Sequence, residues 1–126
     1  MAKECDERII DAVLTAATRV HTELGPGLLE SVYEQALALE LEAAGLEAKT
    51  QVAVPVSYRG RDLGLGFRAD LVVEEQLLVE LKCVERVNPV HLAQVLTYLK
   101  LLGLKRGFII NFNTQLLKHG IRRISL

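Results

Sequence analysis

With 126 residues, half of them hydrophobic and a quarter charged, the chain suits one compact domain over residues 1–126 and argues against disorder or a second unit. Its net charge of −1 argues against the strongly basic surface of proteins that coat nucleic acid nonspecifically, while leaving room for a local acidic, metal-binding site. The two cysteines, Cys5 and Cys83, form no CxxC pair and fit no zinc spacing, so reduced thiols and a cytoplasmic setting are expected.

Residues 1–7 are charged and no apolar run follows them, so no signal peptide is expected. No stretch reaches the roughly 18 apolar residues of a membrane span. Ile9, Ile10, Val13, Leu14, Ala17, Val20 and Leu24 recur with helical spacing, with Asp6 as the expected N-cap and Gly25-Pro26-Gly27 as the stop. A second helix is expected from about Leu28 to Ala44, with Gly45 as its C-terminal cap. Residues 47–58 read as one strand in which Val52, Val54, Val56 and Tyr58 alternate, and Pro55, which has no N–H, places it at an edge. Arg59-Gly60-Arg61-Asp62 is a turn, Gly66 to Val73 a second strand, Glu74-Glu75-Gln76 a turn and Leu77 to Val84 a third strand. Asn88-Pro89 opens a helix, since Asn caps and Pro suits the first helical position. Leu92, Val95, Leu96, Leu99 and Leu102 form its apolar stripe and Gly103 ends it. Gly107 to Phe112 is a short buried strand, and Gly120 to Leu126 adds a last one. Three strands in succession joined by tight turns imply an antiparallel meander, and the helix after them lets the next strand return parallel to the third.

Charges stand where this scheme wants core. Asp70 lies in Phe67-Arg68-Ala69-Asp70-Leu71-Val72-Val73, and Glu80 and Lys82 lie in Leu77-Leu78-Val79-Glu80-Leu81-Lys82-Cys83. Strand periodicity points Glu80 and Lys82 to one face and Val79, Leu81 and Cys83 to the other. Antiparallel pairing across a short turn brings Asp70 toward Glu80 if the register allows it. A lone E-x-K on a strand is most often an exposed ion pair. Here the strand is apolar on both faces, which implies a covered sheet, where charges are costly unless paired or bound to metal. Glu30 begins a line of Tyr33, Leu37 and Leu41 on the second helix, a face that reads as buried; the plainer reading is an acid favoured by the helix dipole. His91, Gln94 and Tyr98 flank the apolar stripe of the third helix, and His91 reads as a hydrogen-bonded surface residue.

Taken together, Gly27-xx-Glu30-xx-Tyr33, Tyr58-Arg59-Gly60, Arg68-Ala69-Asp70-Leu71, Val79-Glu80-Leu81-Lys82, His91-Leu92-Ala93-Gln94, Tyr98-Leu99-Lys100 and Gly107-Phe108-Ile109-Ile110-Asn111-Phe112 resemble, in order, the GxxExxY proteins of the PD-(D/E)xK nuclease superfamily. The resemblance implies an α/β, restriction-endonuclease-like core (α-β-β-β-α-β), a mixed sheet flanked by helices. It implies Asp70 and Glu80 as metal-binding acids, Lys82 as the catalytic lysine and Glu30 as an acid supplied by the preceding helix. Gln94 and Tyr98 match the Q-xxx-Y helix of RecB-like nucleases. Ala69 stands where the name-giving proline would be, a position that is not a ligand.

Phosphodiester hydrolysis needs an activated water and a sink for charge on the phosphate. Two carboxylates and a backbone carbonyl suit Mg²⁺, which prefers oxygen ligands, with Mn²⁺ as the alternative ion. The expected set is Asp70, Glu80, the Leu81 backbone carbonyl and Glu30 at the metal, with Lys82 acting electrostatically because an ordinary lysine is a poor base at neutral pH. Gln94, Tyr98 and Arg68 are the expected substrate contacts. The expected function is a metal-dependent nuclease acting on nucleic acid, with DNA as the favoured substrate, no membrane partner and a homo-oligomer as an option. The alternative is a nucleic-acid-binding or accessory subunit without catalysis. No P-loop, G-x-S-x-G elbow or H-E-xx-H helix is present, which disfavours NTPase, serine hydrolase and zinc protease.

Overall fold

A computed structural model describes residues 4–64 and 66–126. Helix α1 spans Glu7–Leu24 and α2 spans Glu30–Ala43. Strand β1 (Ala48–Ala53) follows, then a hairpin of β2 (Ser57–Tyr58) and β3 (Arg61–Asp62), then β4 (Arg68–Val73) and β5 (Leu77–Lys82). Helix α3 (Pro89–Leu102) leads to β6 (Arg106–Asn111), a short 3-10 turn (Leu117–Gly120) and β7 (Ile121–Ser125). The five main strands form one sheet in the order β1-β4-β5-β6-β7, antiparallel except for the β5–β6 pair. This is the expected mixed sheet flanked by helices, with the meander and the helical crossover where the element order requires them.

The termini of the helices follow local chemistry. The Asp6 side chain accepts the Arg8 N–H at the start of α1. Asn88 caps α3, and His91 Nδ1 accepts the Asn88 N–H in return, closing a capping box. Gly103 ends α3 in the left-handed region, where a side chain is strained.

The sheet is covered on both faces. Ile10, Val13, Ala17, Tyr33, Leu37 and Leu41 of α1 and α2 pack on Leu71, Val79, Leu81 and Ile110. Val95 and Leu99 of α3 pack on Val72, Leu78, Ile109 and Ile124. The burial of β5 on both faces explains its apolar run Leu77-Leu78-Val79, continued at Leu81, and makes Glu80 the exception in it. Among the described residues no helix is long and apolar enough to cross a membrane. Both cysteines are free thiols.

Several boundaries differ from the sequence expectation. The strand read over 47–58 is two pieces, because pairing of β1 ends at Ala53 and Pro55 offers no N–H beyond it. Val54 is buried and Tyr58 exposed, so the alternation expected through Tyr58 fails across that break. The turn is Arg59-Gly60 alone, both at positive φ as a two-residue hairpin demands, and Arg61-Asp62 already pairs with Ser57-Tyr58. Helix α2 starts at Glu30, not near Leu28, because Gly27 has φ 100° and Leu29 is extended. Glu30 is therefore exposed: it opens the helix, and no preceding turn lies over it. Strand β5 stops at Lys82, before Val84.

Candidate active site

Strands β4 and β5 pair from Val73↔Leu77 through Leu71↔Val79, and their printed register stops there. One step further, side chains take over the hydrogen bonding. The Asp70 backbone N–H donates to Glu80 Oε1 at 2.9 Å. The Leu81 N–H donates to Asp70 Oδ2 at 2.8 Å. Each acid thus occupies a backbone group of the opposite strand, so both carboxyls are fixed at the point where the ladder ends. On the other flank β5 stays paired with β6 through Lys82↔Asn111, and the Phe112 N–H donates to the Lys82 carbonyl at 2.9 Å.

Glu80 is buried, and Asp70 is half-buried beside it. Burial, and then the Asp70 charge, push the Glu80 carboxyl up to about 8, against the opposing pull of the Asp70 N–H and of Lys82. Without a cation, one proton is the cheapest way to keep two close carboxyls in a partly dry site. Lys82 is half-buried, and its side chain makes no hydrogen bond or ion pair with any described residue. Tyr98 is buried on the α3 side, and its hydroxyl is raised by burial and then by the charges of Glu80 and Asp70. Gln94 is half-buried and lines, with Tyr98, Thr97, Phe67 and Val56, a cleft of about 320 Å³.

On the α2 side Asp70 and Leu81 line a second cleft, of about 140 Å³, with Glu30, Ser31, Glu34 and Gln51. Glu30 is held at its mouth by a loop that the sequence sets up. The Tyr33 hydroxyl donates to the Gly25 carbonyl and accepts the Leu28 N–H. Its ring stacks on Phe112, centroids 4.4 Å apart. The tyrosine of the G-xx-E-xx-Y run is therefore a staple for the turn that presents the glutamate. Burial and the Glu30 charge push the neighbouring Cys83 thiol up to about 11, which keeps it protonated at neutral pH.

Among the described residues no three His, Cys, Asp or Glu side chains gather as a metal-binding group. Asp70 and Glu80 are a pair, and Glu30 is not drawn into it. The donor set still fits a hard divalent cation: it is all oxygen, two carboxyls stand together in a partly buried place, and Mg²⁺ commonly takes one or two carboxylates and keeps its waters. Arg68 is exposed, and its guanidinium donates to the Gln51 carbonyl at 3.2 Å. The alternation that would put it on the face of Asp70 breaks at Asp70 itself, since Ala69 and Val72, three residues apart, both join the core under α3.

Three residues of this region were not singled out from the sequence. Gln51 of β1 sits beside Asp70 of the neighbouring β4 and donates through Nε2 to Glu34 Oε1 at 2.6 Å and Asp70 Oδ1 at 3.4 Å. Glu34 is half-buried, and its carboxyl is raised by burial first and by Asp70 and Glu30 last, with the Gln51 bond opposing. Its i, i+4 spacing from Glu30 was the available signal. Asn111, buried at the end of β6, accepts the Val84 N–H and donates to the Val84 carbonyl, so it holds the chain just past Lys82. A polar residue closing an apolar run was its signal.

The family whose model matches the chain is described as the PD-(D/E)XK nuclease superfamily, and the match covers residues 7–124. No curated protein and no solved structure matches the chain.

Proposed function

Because the chain belongs to the PD-(D/E)XK nuclease superfamily, we propose that it hydrolyses phosphodiester bonds of nucleic acid, DNA in the first instance, with Mg²⁺ as its cofactor and Mn²⁺ as a substitute. The observation that carries this reading is the clasp of Asp70 and Glu80 where the β4–β5 ladder ends, with Lys82 one strand period beyond Glu80. A binding domain has no need of two carboxyls clasped together at a half-buried strand end.

In this reading Asp70, Glu80 and the Leu81 carbonyl would hold the ion, with Glu30, which lines the α2 cleft beside Asp70 and Leu81, as a further ligand. The ion supplies an activated water and offsets charge on the phosphate. Lys82, whose side chain has no hydrogen-bond or ion-pair partner among the described residues, stabilises negative charge as it develops on the scissile group. Gln94 and Tyr98 line the α3 cleft and orient substrate there. Arg68 contacts backbone phosphate from the exposed start of β4. The Tyr33 staple and the position of Glu30 support assignment to the GxxExxY group within the superfamily. A second reading, an accessory subunit without catalysis, draws on the net charge of −1, which leaves long-range attraction of nucleic acid to a partner.

The test is incubation with labelled single- and double-stranded DNA and RNA in Mg²⁺, Mn²⁺ or EDTA. Cutting that needs metal, and that falls by about 100-fold or more in folded Asp70→Asn and Lys82→Ala proteins, is the expected result. Absence of cutting on every substrate would move the assignment to the accessory reading. Cutting that survives both substitutions would reject the residue roles.

A further inference from the structure

The clasp explains how Asp70 Oδ2 is held, by the Leu81 N–H, but the other oxygen has its own partner. Gln51 lies opposite Asp70 in the β1–β4 register, yet the pairing passes from Thr50↔Leu71 to Val52↔Ala69 and omits that rung. Gln51 has φ 51°, left-handed backbone that costs a residue with a side chain. Both strands change face there. Ala48 packs with the core under α1 and α2, whereas Val52, four residues on, packs under α3. The twist leaves the Gln51 amide between two acids, donating to Glu34 Oε1 at 2.6 Å and Asp70 Oδ1 at 3.4 Å. The Gln51 carbonyl is occupied by Arg68.

We propose that Gln51 is a positioning residue: anchored on Glu34, its amide holds Oδ1 of Asp70 and so sets the plane of the carboxylate whose Oδ2 clasps Leu81. The inference rests on the reading of Asp70 as a functional acid. It explains why a glutamine occupies a position whose backbone suits glycine. It also explains why an acid on α2, distant in sequence from the strands, lines the same cleft as Asp70.

Glycine adopts φ 51° without strain, so Gln51→Gly removes the amide while keeping or raising the melting temperature. Two readouts are taken on this variant. In the metal-free protein, the Leu81 amide should exchange its hydrogen about tenfold faster than in the parent, with other β5 and β6 amides unchanged. In a Mn²⁺ titration, affinity should fall about tenfold, roughly the worth of one hydrogen bond to a charged group. Glu34→Ala should give the same losses, and the double variant should lose no more than either single one, because Glu34 acts through Gln51. Unchanged Leu81 exchange in Gln51→Gly overturns the proposal, as do losses that add in the double variant. A parent that binds no Mn²⁺ overturns the metal reading instead, and the metal-free exchange then decides the role of Gln51 on its own.

Discussion

Glu80 is a carboxyl in a place where its charge is costly. In the folded chain it keeps its proton up to about 8, against an ordinary value of 4.5. Between those values the folded state holds more protons than the unfolded one. Its contribution to stability is thus complete below the unfolded value and is lost as pH rises through about 8. Melting temperatures in EDTA from acid to mildly alkaline pH should show the parent losing ground relative to Glu80→Gln, which has no proton to lose. A difference that stays flat would mean that Glu80 ionises as an ordinary carboxyl. The same proton must leave when a cation is bound, so Mn²⁺ affinity should rise with pH across the window. At this scale the identities of Asp70, Glu80 and Lys82 were legible because charges in an apolar strand demand a reason. Gln51 was not, since a polar residue on an edge strand usually needs none.

The site is shared among elements, each with its own local logic. Strands β4 and β5 bring the two acids together, β6 holds β5 through Lys82, and α2 brings Glu30 and Glu34 to the cleft. The Tyr33 hydroxyl ties the first turn of α2 to the loop at Gly25 and Leu28. Tyr33→Phe should keep the stack on Phe112 but remove the partner of the half-buried Gly25 carbonyl and of the Leu28 N–H, lowering stability by about 1 kcal/mol in urea unfolding. It should also weaken Mn²⁺ binding, if Glu30 takes part, without touching Asp70 or Glu80. An unchanged urea midpoint would show that the loop holds itself. Helix boundaries were readable from Asp6, Asn88-Pro89 and Gly103 because caps act over a few residues. The plainer reading of Glu30, an acid in the first turn, holds; the buried face expected to begin at it begins at Tyr33, because helical spacing continues beyond the point where the helix begins.

At the scale of the whole molecule, the end of the sheet that carries the acids is closed by the β6–β7 connection. Gly120 there approaches Asn111 so closely that an added Cβ would lie 2.1 Å from the Asn111 carbonyl oxygen. Asn111 in turn holds Val84, just past Lys82. Gly120→Ala should therefore cost about 2–3 kcal/mol, read as a lower melting temperature, because backbone and not a flexible side chain must move. It should also depress activity in whatever fraction stays folded, since the strain is transmitted to the chain beyond Lys82. A variant as stable as the parent would show that this closure is looser than its geometry.

What the sequence alone determined is whatever depends on near neighbours: the helices, their caps, the order of the strands, the parallel return after α3 and the residue types able to hold a cation or meet a phosphate. Periodicity and capping are interactions over a few residues, so they can be read along the chain. What tertiary structure decided is where strand pairing stops. Only the end of the β4–β5 ladder at Leu71↔Val79 lets Asp70 and Glu80 take each other's backbone groups, and only the face switch at Gln51 brings Glu34 to Asp70. Register and twist are set by contacts between residues far apart in the chain, and no local pattern encodes the rung at which two strands part.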